Sequence, residues 1–571
     1  MEWLLRELKL RLNNKNISVW VFAFIIMLLV LIGRAVDDGS QGGSKRSLAY
    51  AAVFGLLSWL IAYLIFHWFD CLTGSRVENG DSASLPLRQR VMSVDYWAAT
   101  QDAISFTTSI KKYGLVCLIG VIFCWLPWVI TCWPGVMRDD TIAQFMQSSG
   151  YHFYYTQHPL FDTLVFGFFW ELGFALHHVL LGLGIYVLVQ TFSFAIGVML
   201  VLCYLRKIGA ARSLLLAIFL FFAFCPAIVG AVPTMAKDSL HTVFLLPLSI
   251  IYVEIFLTRG KVLHRRPVCV MLVLLVALCM LSKRTATVAI LCAFCVLVAS
   301  VKKNRLKVVA SMIIAMVLAQ GIIEPALVRV THAEVSPGKE VMGLIMMPVA
   351  RIQSISPERI SPQERSALSS LLNIDKAGKT YTNYRIDETS WTINNEASIA
   401  QKIKGIGAWV SLGVHNPGEY VKAFGNLMLG WFYPQVGVFY GSNSDGLFSD
   451  QYMIQWDSFV RPPLSAENVL HDMRGTGQKS SLLMRAADAG QQIAINPILN
   501  AYAYYATYIP LLLLIYGMSR KRWIAVGAGS LLGFNVLVLY LSPLVFAWYL
   551  LPVTFILPLF FGITGCIAEK Q

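Results

Sequence analysis

Long apolar runs alternate with short polar loops along most of the chain. A helix needs about 20 predominantly apolar residues to cross the hydrocarbon core of a bilayer. The pattern predicts about 12 helices of this kind, which we expect to span a membrane. Their expected bounds are residues 17–33, 47–69, 113–132, 178–205, 213–231, 239–257, 268–282, 285–301, 307–323, 497–517, 522–541 and 543–563. The predicted fold class is therefore an all-α polytopic membrane protein.

Segment 159–175 is apolar enough to span a membrane, but it contains Asp162 and Glu171. If it lies along the outer surface as an amphipathic helix, four basic loops all face the cytoplasm, as the positive-inside rule requires. If it spans, all four loops face outward. The surface helix is therefore preferred, and both chain termini are predicted to be cytoplasmic. The four basic loops are 206–212, 258–266, 302–307 and 519–522.

This topology divides the chain into four regions. They are 1–112, two membrane helices with a cytoplasmic loop; 113–323, a membrane module; 324–496, a mixed but mainly helical extracytoplasmic domain; and 497–571, the C-terminal membrane helices. In the third region, segment 423–433 is apolar and aromatic but too short to span, so we expect it to rest on the membrane surface. Trp431, Tyr433 and Trp456 are aromatic residues that could stack on sugar rings, although surface anchoring explains the first two equally well.

Composition and charge support this class of protein and exclude another. The 571 residues are 57% hydrophobic and 14% charged, with a mean hydropathy of +0.62. A net charge of +14 would suit a nucleic-acid-binding protein, but the surplus Lys and Arg lie in short loops between apolar runs. That placement is typical of cytoplasmic loops that contact anionic lipid headgroups, so no nucleic-acid partner is expected. The 11 cysteines lie in or beside apolar runs, and they indicate no cysteine metal site.

Polar residues are concentrated in segment 133–164, directly after the third apolar run. A Trp-Pro-Gly sequence at 133–135 should end the membrane helix at the outer surface. Two adjacent acids follow it, and a Gln-His-Pro turn comes within the same short stretch. The candidate site residues here are Arg138, Asp139, Asp140, Gln157 and His158.

Two tight loops on the same predicted side of the membrane also carry charge. Lys237 and Asp238 lie in one of them, and Lys283 and Arg284 lie in the other. Cations at the outer face depart from the positive-inside trend. Their alternative explanations are side chains that reach the headgroups and, for Asp238, an ion pair with Lys237.

An acid pair beside cations at an outer membrane surface suits group transfer. A carboxylate takes a proton from a hydroxyl nucleophile, or it holds a divalent cation through oxygen ligands. Cations at Lys237, Lys283 and Arg284 would stabilise a phosphate leaving group. Nucleotide donors are not expected outside the cytoplasm, so a lipid phosphate is the natural activated donor. The pattern favours transfer of a group, and a sugar above others, from a polyprenyl phosphate to a hydroxyl.

This order of motifs resembles the GT-C superfamily of integral-membrane glycosyltransferases, and in particular an uncharacterised bacterial branch of GT-C-like proteins. The residues that carry the resemblance are Asp139 and Asp140, Gln144, His158-Pro159, Lys237-Asp238 and Arg284. The resemblance covers 113–301. It implies a bacterial inner-membrane (plasma-membrane) enzyme that transfers a sugar to a cell-envelope glycan or lipid.

The resemblance also implies roles for individual residues. One of Asp139 and Asp140 would be the general base, and the other could help to bind a divalent cation, Mg²⁺ or Mn²⁺. His158 would orient the acceptor or coordinate that cation. Lys237, Lys283 and Arg284 would bind the donor phosphate. The expected supporting residues are Arg138, Gln144, Gln157, Asp162, which could orient the His158 imidazole, and Asp238.

One position departs from the GT-C-like pattern. Many of these proteins carry an Arg-Tyr pair near the last span, and here the pair is Trp548-Tyr549. Two alternatives to an active transferase therefore stay open. One is a transporter or flippase of a lipid-linked sugar, and the other is a catalytically inactive GT-C-like protein of envelope assembly.

Overall fold

The computed structural model describes residues 17–37, 44–74, 104–137, 139–434, 480–496 and 500–566. These residues are mostly helical, and one pair of two-residue strands lies among them. Up to residue 331 the elements are α1 (Ile17–Val36), α2 (Ser44–Gly74), α3 (Phe106–Thr131), β1 (Val136–Met137), α4 (Asp139–Ser148), α5 (Leu160–Ala175), α6 (Val179–Lys207), α7 (Arg212–Phe224), α8 (Pro226–Ala231), β2 (Thr234–Met235), α9 (Lys237–Leu257), α10 (Arg266–Ser282), α11 (Arg284–Ser300) and α12 (Arg305–Thr331). The later helices are α13 (Lys339–Ile355), α14 (Pro362–Leu368), α15 (Ile374–Thr380), α16 (Asp387–Ser390), α17 (Ile399–His415), α18 (Pro417–Leu427), α19 (Leu429–Phe432), α20 (Ser481–Ile495), α21 (Tyr504–Ser519), α22 (Trp523–Ala528), α23 (Ser530–Leu539) and α24 (Ala547–Cys566).

Within the described part of the chain, seven helices are long and apolar enough to cross a membrane: α1, α2, α3, α6, α9, α12 and α24. Five further apolar helices are shorter: α7, α10, α11, α21 and α23. Each predicted apolar run falls on one of these helices. Run 213–231 is divided between α7 and α8, because Pro226 has no amide N–H with which to continue a helix. The prediction of an all-α membrane protein is confirmed.

Helix α24 forms the centre of the bundle. Its apolar window is 83% buried, compared with 22% in α2 and 28% in α3. It packs against α2, α7, α9, α21 and α23. The outer helices instead expose large apolar side chains such as Val116 and Phe123. Apolar surface on this scale is expected of helices that face lipid.

The helix directions place three of the basic loops at one end of the bundle. Lys207 at the end of α6 lies 2.7 Å from Glu254 near the end of α9, so these two helices run the same way. The α10–α11 junction lies beside the start of α9, because Lys283 pairs with Asp238. Loops 206–212, 258–266 and 302–307 therefore lie at the end of the bundle away from Asp238.

Helix α5, the expected surface helix, has two different faces. Asp162, Phe166 and Trp170 are buried, whereas Phe168 and Glu171 are exposed. The buried face packs against α4 and α6. This one-sided burial is compatible with a helix that lies along the membrane surface, and its position relative to a membrane stays a prediction.

The helices α13 to α18 enclose a second, smaller core, in which α13 packs against α15 and α14 packs against α17. The prediction that segment 423–433 rests on the membrane surface is wrong. Trp431 is completely buried, and its Nε1 donates to Ser542 Oγ at 3.2 Å. Asn426 donates to the backbone oxygen of Val36 at 2.6 Å, because this stretch closes the end of α1. Buried Trp431 and Tyr433 are not placed to stack on a sugar, and Trp456 lies outside the described residues.

Candidate functional site

The two strands join the acidic segment to the loop before α9. β1 and β2 pair in parallel, with Val136 opposite Thr234 and Met137 opposite Met235. Gln190 of α6 holds the second loop, since its Nε2 donates to the backbone oxygen of Thr234 at 2.9 Å. These contacts bring the starts of α4 and α9 together, although about a hundred residues of chain lie between them.

Asp140, Lys237 and His158 form the centre of the site. Lys237 Nζ donates to Asp140 Oδ2 at 2.5 Å and lies 3.3 Å from His158 Nδ1. His158 Nε2 is 3.9 Å from Asp140 Oδ1. The side chain of Asp140 is 42% exposed, whereas that of His158 is only 11% exposed. The acid is therefore open to solvent on one side and held by a cation on the other.

The His158 ring is neutral near pH 7. Burial lowers its pKa to about 4, and the charges of Lys237 and Arg284 lower it further, while Asp140 and Asp238 act in the opposite direction. Because the Lys237 ammonium can only donate, His158 Nδ1 is the acceptor, which assigns the ring proton to Nε2. The Nε2–H then faces Asp140.

A second ion pair lies beside the first. Lys283 Nζ donates to Asp238 Oδ1, and the Asp238 side chain is only 3% exposed. Lys283 also lies over the ring of Tyr549, 5.5 Å from its centroid. The alternative that pairs Asp238 with Lys237 is wrong, since Lys237 instead bonds Asp140. Neighbouring residues on a helix point about 100° apart, so Lys237 and Asp238 face different partners.

Arg284 lies at the rim of the site. Its side chain is 47% exposed and 3.7 Å from Glu324, yet it is close enough for its charge to lower the His158 pKa. Gln157 is exposed and takes no part in these contacts. Arg138 and the side chain of Asp139 lie outside the described residues, so their predicted roles stay predictions.

Asp162 and Gln144 lie beneath the ion pairs. Gln144 Nε2 donates to Thr163 Oγ1 at 3.0 Å. Asp162 is completely buried, and neither carboxyl oxygen hydrogen-bonds to any residue in the described part of the chain. The prediction that Asp162 orients the His158 ring is therefore wrong. His158 precedes the helix, so the two residues lack the helical i to i+4 geometry.

The predicted divalent cation has no ligand group among the residues that the structure describes. No set of three or more His, Cys, Asp or Glu side chains there is arranged to hold a metal ion. Asp140 is bonded to Lys237 instead. The ordered ion pairs account for this carboxylate without a cation ligand.

The sequence gave no signal for a third set of residues at the site. Ile386 donates its backbone N–H to the Pro543 oxygen at 3.1 Å, which brings the start of α16 to the loop before α24. Arg385 lies 2.8 Å from Asp387. Burial raises the pKa of Asp387, Arg385 opposes this, and Asp140 contributes to the rise. The extracytoplasmic region thus supplies charge close to Asp140.

Fold and site together define a helical membrane protein with two lysine–aspartate pairs at one end of its bundle. The chain belongs to a family of unknown function, DUF6020, whose model matches residues 142–570. The match includes both site lysines, and it begins two residues after Asp140. No curated protein and no solved structure matches the chain.

Proposed function

We propose that the protein is a membrane glycosyltransferase, which moves a sugar from a polyprenyl-phosphate donor to a glycan or lipid acceptor of the cell envelope. In this proposal about 12 helices span the bacterial inner membrane and both termini are cytoplasmic. The ion-pair site then opens at the outer surface. The three cytoplasmic basic loops at the opposite end of the bundle support this orientation.

Asp140 is the proposed general base. It is half-exposed, and the Lys237 ammonium favours its ionised form. An acceptor hydroxyl that approaches the open side of Asp140 can give its proton to this carboxylate as it attacks the sugar. Catalysis by such a base is typically worth about 10²- to 10⁴-fold. Neutral His158, with its Nε2–H directed at Asp140, helps to fix the carboxylate.

Lys237, Lys283 and Arg284 are the proposed phosphate ligands. Their cationic groups come from two loops that the fold brings to one place. Negative charge grows on the phosphate as the bond to the sugar breaks, and fixed cations stabilise that change. Tyr549, under Lys283, offers an aromatic face at the same place.

The contact of Asp140 with Lys237 and His158 is the observation that carries the proposal. Three segments converge on one half-exposed carboxylate at the end of a bundle of apolar helices. Polar groups at such a depth are costly to maintain unless they serve function.

The test uses the purified full chain in phospholipid vesicles. A panel of undecaprenyl-phosphate-linked hexoses and pentoses is supplied together with envelope glycans, and the release of undecaprenyl monophosphate is measured by mass spectrometry. This product is the same whichever sugar is transferred. We expect release by the wild type and a loss of about 100-fold or more in Asp140→Asn.

The matched control is Asp375→Asn, which neutralises an exposed acid far along the chain. It should retain the wild-type rate. No release from any donor, or equal release by wild type and Asp140→Asn, would overturn the proposal.

A further inference from the structure

Asp162 is the most isolated ionisable group in the site. Its side chain is inaccessible to solvent, and both of its carboxyl oxygens lack a hydrogen-bond partner within the described residues. An ionised carboxylate in such surroundings costs several kcal/mol or more, so the protonated form is favoured. Burial accordingly raises the pKa of Asp162 well above its usual range.

The charged groups around Asp162 come from α9 and the α10–α11 junction. Lys237 and Lys283 lower its pKa, and Asp238 raises it, but burial is the largest effect. On α6, the phenol of Tyr186 is close enough to feel the Asp162 charge, although its hydroxyl donates to Gln190. Helix α4 contributes the neutral Gln144, whose bond to Thr163 lies next to Asp162 in the chain.

Asp140 and Asp162 are therefore two carboxyl groups in opposite environments. Asp140 is 42% exposed and paired with a lysine, whereas Asp162 is buried and unpaired. Carboxyl groups whose surroundings favour opposite protonation states commonly divide into a base and an acid. The charges of Lys237 and Lys283 both reach Asp162, so a phosphate held between these ammonium groups faces its carboxyl.

We propose that Asp162 is the proton donor of the transfer reaction, and that it acts on the leaving phosphate while Asp140 accepts the proton of the acceptor. This inference rests on the proposed function. The acceptor oxygen forms a bond to the anomeric carbon, and the bond from that carbon to the phosphate oxygen breaks. The acceptor proton moves to Asp140, and the Asp162 proton moves to the phosphate oxygen. Solvent then takes the proton from Asp140 and returns one to Asp162.

The first test needs no substrate. Infrared spectra of the wild type, Asp162→Asn and Glu171→Gln in vesicles are compared at pH 7. Glu171 is the control, because it is exposed on the same helix. We expect a carboxylic-acid C=O band in the wild type that survives Glu171→Gln and disappears in Asp162→Asn. Absence of that difference would overturn the inference.

The second test uses undecaprenyl monophosphate release over pH 5 to 9. Asp162→Asn should lose about 10²-fold or more, and should lack the fall at high pH that ionisation of Asp162 gives the wild type. A full rate for Asp162→Asn with an inactive Asp140→Asn overturns this inference and leaves the proposed function standing. Full rates for both variants overturn the proposed function as well. If Asp162→Asn does not accumulate, Asp162→Ser serves for both tests.

Discussion

Lys237 Nζ lies 2.5 Å from Asp140 Oδ2, although the two residues are 97 positions apart. Their side chains are 18% and 42% exposed, so the pair is accessible to a ligand. The neighbouring pair of Lys283 and Asp238 is much more buried, at 16% and 3%. The site therefore combines one ion pair that can exchange partners with one that is fixed in the protein.

We expect the buried pair to contribute to stability and the exposed pairs to contribute little. Removing one partner of a buried pair leaves an uncompensated charge, so Asp238→Asn should lower the free energy of unfolding by about 3–5 kcal/mol. Asp375→Asn, which breaks an exposed pair with Arg365, should change it by less than about 1 kcal/mol. Chemical denaturation in detergent, followed by tryptophan fluorescence, measures both. Equal effects of the two substitutions would contradict this distinction.

The Lys237 ammonium should be needed to bind a lipid phosphate. Farnesyl phosphate at 100 times its dissociation constant would stabilise the wild type by about 2.7 kcal/mol. We expect Lys237→Gln to lose most of this stabilisation, seen as the absence of a shift in the thermal midpoint. Lys207→Gln is the control, because it removes an ion-paired lysine at the other end of the bundle. A full shift in Lys237→Gln would exclude this lysine as a phosphate ligand.

The proximity of Asp140, His158 and Lys237 was predictable from the sequence. Apolar runs fix where the chain meets the membrane surface, and polar residues at alternate ends of runs must share a layer. The choice of partners was not predictable. Whether Asp238 bonds Lys237 or Lys283 depends on helix rotation, which the packing of α9 against α10 decides.

Tertiary packing also decided what the sequence pattern could not. The aromatic stretch around Trp431 resembles an interfacial segment, but it fills the space beside α1 and the loop before α24. Arg385 and Asp387 reach the site through the contact of Ile386 with Pro543, and no local pattern marks that contact. Long-range packing of this kind leaves no periodic signal in the chain.

The contact between α5 and α6 depends on glycine. A Cβ added to Gly182 would overlap the backbone oxygen of Phe169, and one added to Gly173 would lie 2.6 Å from the Val179 oxygen. Backbone cannot yield as a side chain does, so Gly182→Ala should lower the free energy of unfolding by about 1–3 kcal/mol. Gly407→Ala, in α17 with open space around it, should raise it by up to about 1 kcal/mol. Denaturation of both variants checks the difference, and an unchanged Gly182→Ala would contradict the close packing.

Protonation of His158 should destabilise the fold in acid. Its pKa is about 4 in the folded protein, against 6.5 for an ordinary histidine. Above pH 6.5 the ring is neutral in both states and adds no pH dependence. Between pH 6.5 and about 4 the unfolded chain binds the proton first, so the stability present at neutral pH is lost as the pH falls.

His158→Gln should therefore lose less stability than the wild type between pH 7 and pH 4.5, by up to about 3 kcal/mol. His152→Gln, at an exposed ring in the same loop, should follow the wild-type curve. Denaturation curves at several pH values supply the comparison. Parallel curves for wild type and His158→Gln would mean that His158 is not neutral in the folded protein.

The proposed orientation gives a prediction for each end of the bundle. A reporter that fluoresces only in the cytoplasm, fused after Lys303, should be active, because 302–307 is a basic loop between α11 and α12. The same reporter fused after Gly418, at the start of α18, should be inactive, since that region is expected outside the membrane. Alkaline phosphatase fusions, which work only outside, should give the reverse pattern at the two sites. Activity of the fluorescent reporter at Gly418 would place the site of Asp140 and Lys237 on the cytoplasmic side, where nucleotide-linked donors are present, and would remove the argument for a lipid-linked donor.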